Sequence, residues 1–262
     1  MRYVIIGTSA AGLAAAETLR AWDRQGSITL ISDEEHPPYS RPLLSYLLAR
    51  EIPLEKIFLR SEGYFEQWGF TPRLGEAVVA VDPGAHEVHL ERGEVIPYDR
   101  LLLASGAEAR RPDIPGISLQ GVYTLRHLAD VHRLEAGLPE QGSVVVVGAG
   151  AVGLKVADGL ASRGLTVHLL ARGAQPLSRI LDPVAAELLM QAIAAKGIHL
   201  HLHSWPEAIR GEGGRVTGVI LNGPRELPAQ AVLFSVGVDP RLEFLAGTSL
   251  GGPDGIAVDP FL

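Results

Sequence analysis

Arg2-Tyr-Val-Ile-Ile-Gly7-Thr-Ser9-Ala10-Ala11-Gly12 opens the chain, and Ser143-Val-Val-Val-Val-Gly148-Ala-Gly150-Ala151-Val152-Gly153 stands near its middle. Each is an apolar strand pattern running into a glycine-rich turn. Gly7 and Gly12 map onto Gly148 and Gly153 at one constant offset. Behind each turn lie an Ala/Leu-rich helical stretch (Leu13–Ala21, Leu154–Arg163), a glycine (Gly26, Gly164) and a second apolar strand (Ile28–Ile31, Thr166–Leu170). An internal repeat of this kind predicts two βαβ units and hence an α/β fold.

The chemistry of such a unit is specific. Gly-x-Gly-x-x-Gly between strand and helix gives a tight turn, lets a pyrophosphate approach the main chain, and lets the helix pack close on the strand. The phosphate then meets unpaired N–H groups and the positive end of the helix dipole. An acid about twenty residues further on accepts hydrogen bonds from the ribose hydroxyls. In the first unit Ser9 replaces the middle glycine, and Glu34, or Asp33 beside it, stands where the ribose acid belongs. The second unit has the full glycine pattern, but Leu170-Ala171-Arg172 occupies the place of the acid.

Composition narrows the choice. The 262 residues suffice for one large domain or two modest ones, and 47% hydrophobic against 20% charged residues is the balance of a globular chain. A net charge of −7 has the wrong sign for a protein that must neutralise nucleic-acid phosphates. Cysteine is absent, which excludes a disulfide framework, a thiolate zinc site, a cysteine-ligated iron–sulfur cluster and a thiol nucleophile. Redox chemistry would therefore belong to a bound cofactor. The uncharged stretches fall short of the roughly 20 apolar residues that span a bilayer, and the N-terminus lacks a signal-peptide pattern, so the expectation is a cytoplasmic protein with neither a membrane nor a nucleic-acid partner.

Between the units, Glu76–Leu103 reads as short strands broken by Asp82-Pro83-Gly84 and Arg92-Gly93, a β-meander. It ends in Arg100-Leu-Leu-Leu-Ala-Ser105-Gly106-Ala107, and the Pro-rich Arg111–Gly116 reads as a crossing between domains. Ala231-Val-Leu-Phe-Ser235-Val-Gly237 repeats that ending, and on this pattern the chain re-enters its first domain there.

Taken together these segments resemble the FAD- and NAD(P)H-dependent pyridine nucleotide-disulfide oxidoreductase family, over essentially the whole chain. Pro38-Tyr39-Ser40-Arg41-Pro42-Leu43-Leu44-Ser45 is similar to the flavin-contacting segment of its rubredoxin, ferredoxin and nitrite-reductase-type flavoprotein reductases. The resemblance implies two Rossmann-like domains of glutathione-reductase type, one inserted in the other. Residues 1–109 and 229–262 would bind FAD and residues 110–228 would bind NADH or NADPH. Cofactor contacts fall on Gly7, Ser9, Ala10, Ala11, Gly12, Asp33, Glu34, Arg41, Pro42, Ser105 and Gly106 in the first part. In the rest they fall on Gly148, Gly150, Ala151, Val152, Gly153, Arg172 and Gly237. Hydride would pass from the nicotinamide nucleotide to FAD and electrons onward to an acceptor protein such as rubredoxin, ferredoxin or a partner subunit.

Departures from the family pattern qualify this. Pro42 and Leu43 stand near where thiol-dependent members carry a redox cysteine, which excludes disulfide reduction. Lys155 stands where many relatives have a glutamate; it either contacts flavin or cofactor, or forms an ion pair with a carboxylate. Arg172 suits the 2′-phosphate of NADPH, with NADH left open. Gly255–Leu262 leads to where relatives continue into a second flavin motif, so the expected flavin site is C-terminally incomplete. The alternatives are an electron-transfer subunit of a larger oxidoreductase complex and a domain without stable flavin. His199-Leu-His201-Leu-His203 alternates as a half-buried strand with its three rings on one face, and no metal site is assigned to it. Asp182–Ala195 reads as an amphipathic helix.

Overall fold

The computed structural model describes residues 1–252 and 255–260; Phe261 and Leu262, the end of the stretch expected to lead onward, lie outside the described residues. The chain divides into two units: Met1–Ser40, Phe58–Glu108 and Asp239–Leu262 form the first, Arg41–Ile57 and Ala109–Val238 the second.

In the first unit the strand Arg2–Ile6 lies between Ser27–Ser32 and Arg100–Leu103, with Phe70–Leu74 outside Ser27–Ser32, all parallel. Alternation of side chains along these strands builds two cores. Ile5, Ile28 and Leu30 pack with Leu13 and Ala16 of the helix Ala10–Trp22. Val4, Ile6 and Ile31 face Val81, Val88 and Leu90 of a three-stranded antiparallel sheet, Val78–Asp82, Glu87–Leu90 and Val95–Pro97. That sheet is the β-meander expected from the sequence.

The second unit repeats the arrangement. Its parallel sheet runs in the order His199–His201, Thr166–Leu170, Ser143–Val147, Ala231–Phe234, Val122–Thr124. On one face, Val145, Val147 and Phe234 pack against Ile209, Val216 and Val219 of a second antiparallel sheet, Pro206–Glu212, Arg215–Leu221 and Glu226–Pro228. The helix Ala151–Ser162 follows the glycine turn and buries Val156, Ala157 and Leu160.

Three differences from the sequence reading have physical reasons. Ala231–Phe234 does not return the chain to the first unit: it pairs with Ser143–Val147, and its four residues are all buried, as a strand covered on both faces requires. Its likeness to Leu101–Leu103 is positional, because each is the parallel neighbour of its own unit's glycine-turn strand. The return therefore falls at Asp239 and not at residue 229. Second, Arg41–Ile57 belongs to the second unit. Arg163 Nη1 donates to the Leu48 carbonyl at 2.9 Å and to Glu135 at 2.6 Å, and a Cβ on Gly159 would come within 2.5 Å of the Ala49 Cβ. Third, Asp182 caps the helix Pro183–Ala195 by accepting the Ala185 N–H at 2.8 Å and the helix buries Ala186 and Ile193, but Val184 and Leu188 are exposed beside Glu187 and Gln191, so its outer face is mixed rather than wholly polar. Among the described residues, no helix is long and apolar enough to cross a membrane.

Both helices begin three residues earlier than the sequence suggests, inside the glycine turn itself. This is possible because a Cβ on Gly12 would sit 1.9 Å from the Gly7 carbonyl oxygen, and one on Gly153 only 1.8 Å from that of Gly148. Gly153→Ala should therefore lower stability by about 2 kcal/mol or more through forced displacement of backbone, read as a lower midpoint in urea unfolding.

Candidate functional site

Each glycine turn ends in a helix whose first intrahelical bond comes late. Leu13 N–H donates to Ser9 O at 3.0 Å, and Leu154 N–H to Gly150 O at 2.9 Å. The N–H groups of Ala10, Ala11 and Gly12, and those of Ala151, Val152 and Gly153, thus have no acceptor within their helices. No side chain caps either helix, Ser9 included. The first glycine of each turn is held at positive φ, +114° at Gly7 and +108° at Gly148. Each is pressed on the strand next door: added Cβ atoms would lie 2.1 Å from Ala104 O and 2.2 Å from Ser235 O. Gly150 differs. An added Cβ there meets nothing within 4 Å, and its φ of −83° is ordinary. Gly148 and Gly153 are therefore required by packing, whereas Gly150 borders open space above the helix N-terminus, where an anion can approach.

That space is a groove of about 680 Å3 within the second unit. Gly148, Gly150, Ala151 and Arg172, all singled out in the sequence, line it. Val152 and Gly237 do not; Gly237 lies two residues beyond Ser235 and accepts the Arg110 N–H at 3.0 Å. Residues that the sequence reading missed complete the walls, notably Arg110, Gln175, Arg179 and Trp205. They come from a loop and from strand ends distant in sequence, where no periodic pattern marks them. Three arginines and no carboxylate line the groove.

The acids of the first unit are placed differently. Asp33 pairs with Arg241 at 2.8 Å, and Glu34 accepts a hydrogen bond from the Tyr39 hydroxyl. Ser105 lies beside the first glycine turn, its backbone N 3.4 Å from a Cβ built on Gly7, and its hydroxyl donates to Arg241 O at 2.9 Å. Gly106, at φ +73°, accepts the Arg241 N–H. The structure does not keep Arg41 and Pro42 in the unit of Gly7–Gly12. They fall in the second unit, where Arg41 Nη1 donates to Arg126 O at 2.9 Å and meets His127 Nδ1 at 3.0 Å.

Lys155 lies in an ion pair, the second of its two readings. Its ammonium is 2.5 Å from Glu51, 3.5 Å from Asp158 and 4.4 Å from the centre of the Tyr46 ring. The hydrogen bond to Glu51 outweighs partial burial and raises the ammonium's pKa above its usual value.

The histidines regroup. His203 leaves the strand at φ +50°, so the expected trio of rings on one strand face does not form. His168 of the neighbouring strand joins instead, stacked 5.0 Å from the His199 ring, with Nδ1 3.1 Å from His201 Nε2. Among the described residues, no group of three or more His, Cys, Asp or Glu is placed to hold a metal ion. Burial first, then the neighbouring rings, pushes His168 down to about 4; burial, Arg225 and His199 also lower His201. An unfolded histidine titrates near 6.5, so as pH falls below that value the unfolded chain takes up protons that the folded one refuses. Stability should accordingly drop between pH 6.5 and 4. Discounted for half-exposed rings, the loss is about 1 kcal/mol from pH 7.5 to 5.5. Urea unfolding of His168→Leu at the two pH values should show most of that loss removed.

Residues 1–262 match the family described as pyridine nucleotide-disulphide oxidoreductase. Rhodocoxin reductase of Rhodococcus erythropolis is 36% identical over 100% of this chain and 62% of its own length. Rubredoxin-NAD(+) reductase of Ectopseudomonas oleovorans is 33% identical over 99% of the chain and 68% of that protein. The solved covalent putidaredoxin reductase–putidaredoxin complex superposes with a TM-score of 0.90 at 27% identity, covering 97% of this chain and 62% of that one. The chain thus spans roughly three fifths to two thirds of the relatives it matches.

Proposed function

Because this chain belongs to the pyridine nucleotide-disulphide oxidoreductase family, we propose that it is the paired nucleotide-binding part of a flavoprotein reductase. The first unit holds FAD and the second holds NADH or NADPH. Electrons leave for a small acceptor protein of the rubredoxin or ferredoxin kind, the partners that relatives' names carry. The observation that carries this reading is the duplicated cradle: two strands, two positive-φ glycines and two helices with three free-standing N–H groups each.

The donor set suits the groups it would hold. Each uncapped helix start offers N–H groups to a pyrophosphate, and the open face at Gly150 gives it room. Asp33 and Glu34 offer carboxylate oxygens at the first unit's ribose position. When bound, the flavin supplies the electron chemistry that no side chain of a cysteine-free protein provides. The protein's own part is to fix position: backbone N–H groups set the phosphates, and Arg41, held by Arg126 O and His127, keeps a cation on the segment that resembles a flavin-contacting one. Lys155, already paired with Glu51 and Asp158, ties the Arg41–Ile57 segment to the second helix. A cytoplasmic location, where nicotinamide nucleotides are reduced, belongs to the same proposal.

The test separates binding from folding. Anaerobic titration of FAD-treated protein with NADH and NADPH, followed by flavin absorbance, should show bleaching, and a chain that takes up neither flavin nor dinucleotide overturns the reading. Gly150→Val should weaken dinucleotide binding about tenfold or more while leaving the melting temperature within about 2 °C, since the added side chain fills only open space. Unchanged affinity in that variant would show that no phosphate approaches there.

A further inference from the structure

The geometry points to a groove in the second unit that selects a dinucleotide bearing a 2′-phosphate, NADPH over NADH, through Arg172 and Arg179. This rests on reading that groove as the nicotinamide-nucleotide site. The two units can be aligned by hydrogen bonds alone: Gly7 N–H donates to Ile31 O, and Gly148 N–H to Leu170 O. Counting on by two residues sets Asp33 of the first unit equivalent to Arg172 of the second. At this place an acid accepts hydrogen bonds from a ribose 2′-hydroxyl, whereas an arginine accommodates a 2′-phosphate. The second unit has reversed the charge there.

The reversal is not neutralised locally. No carboxylate of the described residues lines the groove, and none forms an ion pair with Arg172 or Arg179. The Arg172 guanidinium lies 5.7 Å from the centre of the Trp205 ring, a contact that orients it and leaves its charge and its donors available. Arg179 is delivered by a fixed loop. Leu177 adopts φ +49° and donates its N–H to Ala149 O at 3.0 Å, tying the loop to the glycine turn, while Gln175 Nε2 donates to Leu181 O at 2.9 Å. A left-handed leucine is a costly conformation that persists only where its surroundings hold it. Here it holds the second arginine at the groove wall. Two guanidinium forks match a phosphate dianion; a bare 2′-hydroxyl would find donors and no carboxylate acceptor.

The experiment uses the whole chain and two probes that differ only by the 2′-phosphate, adenosine 5′-monophosphate and adenosine 2′,5′-bisphosphate, with NADH and NADPH beside them, in isothermal titration at fixed salt. The bisphosphate and NADPH should each bind at least tenfold more tightly than their counterparts. In Arg172→Ala with Arg179→Ala, both exposed positions, the preference should shrink to about twofold, with NADPH losing far more affinity than NADH and the melting temperature unchanged. Equal affinity for both members of each pair, or a preference that survives in the double variant, overturns the selectivity while leaving the dinucleotide site in place. If neither dinucleotide binds, the site reading and the selectivity fall together.

Discussion

The contact between a glycine Cα and a carbonyl oxygen, made once in each unit, is the constraint on which the remaining structure depends. Gly12 against Gly7 O and Gly153 against Gly148 O bring the helix onto its own turn at a distance where a Cβ would overlap backbone. Without that approach the helix would start a turn later and further from the strand. Its first N–H groups would no longer gather above the turn, and Leu13, Ala16, Val156 and Leu160 would shift from the sheets they now cover. Fold and site are thus set by one steric fact, used twice.

This coupling explains which parts were legible in the sequence. Glycines with a steric duty occur at fixed spacing, so the turns, the strands before them and the helices after them could be read directly. The antiparallel strands of residues 78–97 announced themselves through Asp82-Pro83-Gly84 and Arg92-Gly93, because tight turns need particular residues. Ala231–Phe234 was recognisable as a buried strand, but its sheet was not. A run of four apolar residues states burial on two faces without saying against which neighbour. The attachment of Arg41–Ile57 to the second unit was invisible for a related reason: it depends on Arg163, Glu135 and the bare Cα of Gly159, three residues whose meeting no local pattern encodes.

The groove shows the same division. Gly148, Gly150 and Ala151 follow from the repeat, and Arg172 from its distance after the turn. Arg179 and Trp205 are there because of a loop hooked on Ala149 and a strand that begins at Pro206. Loops of this sort carry function on positions that neither period 2 nor period 3.6 can mark.

The two halves of the repeat share backbone and differ in charge, and the difference is local. The chain carries −7 overall, yet the second unit's groove presents arginine without acid. At the equivalent place the first unit has Asp33 and Glu34, occupied by Arg241 and the Tyr39 hydroxyl. Net charge governs how a protein meets other macromolecules in solution, while a ligand in a groove responds to the few groups within a Debye length, about 8 Å at physiological salt. A duplicated cradle can therefore keep its steric core unchanged and acquire distinct ligands through the residue two places beyond the carbonyl that receives the turn's first glycine N–H, Asp33 in one unit and Arg172 in the other. Asp33 there is engaged by Arg241, whereas Arg172 faces the Trp205 ring in a groove whose described lining holds no carboxylate, so the two units differ in the sign of charge at that place.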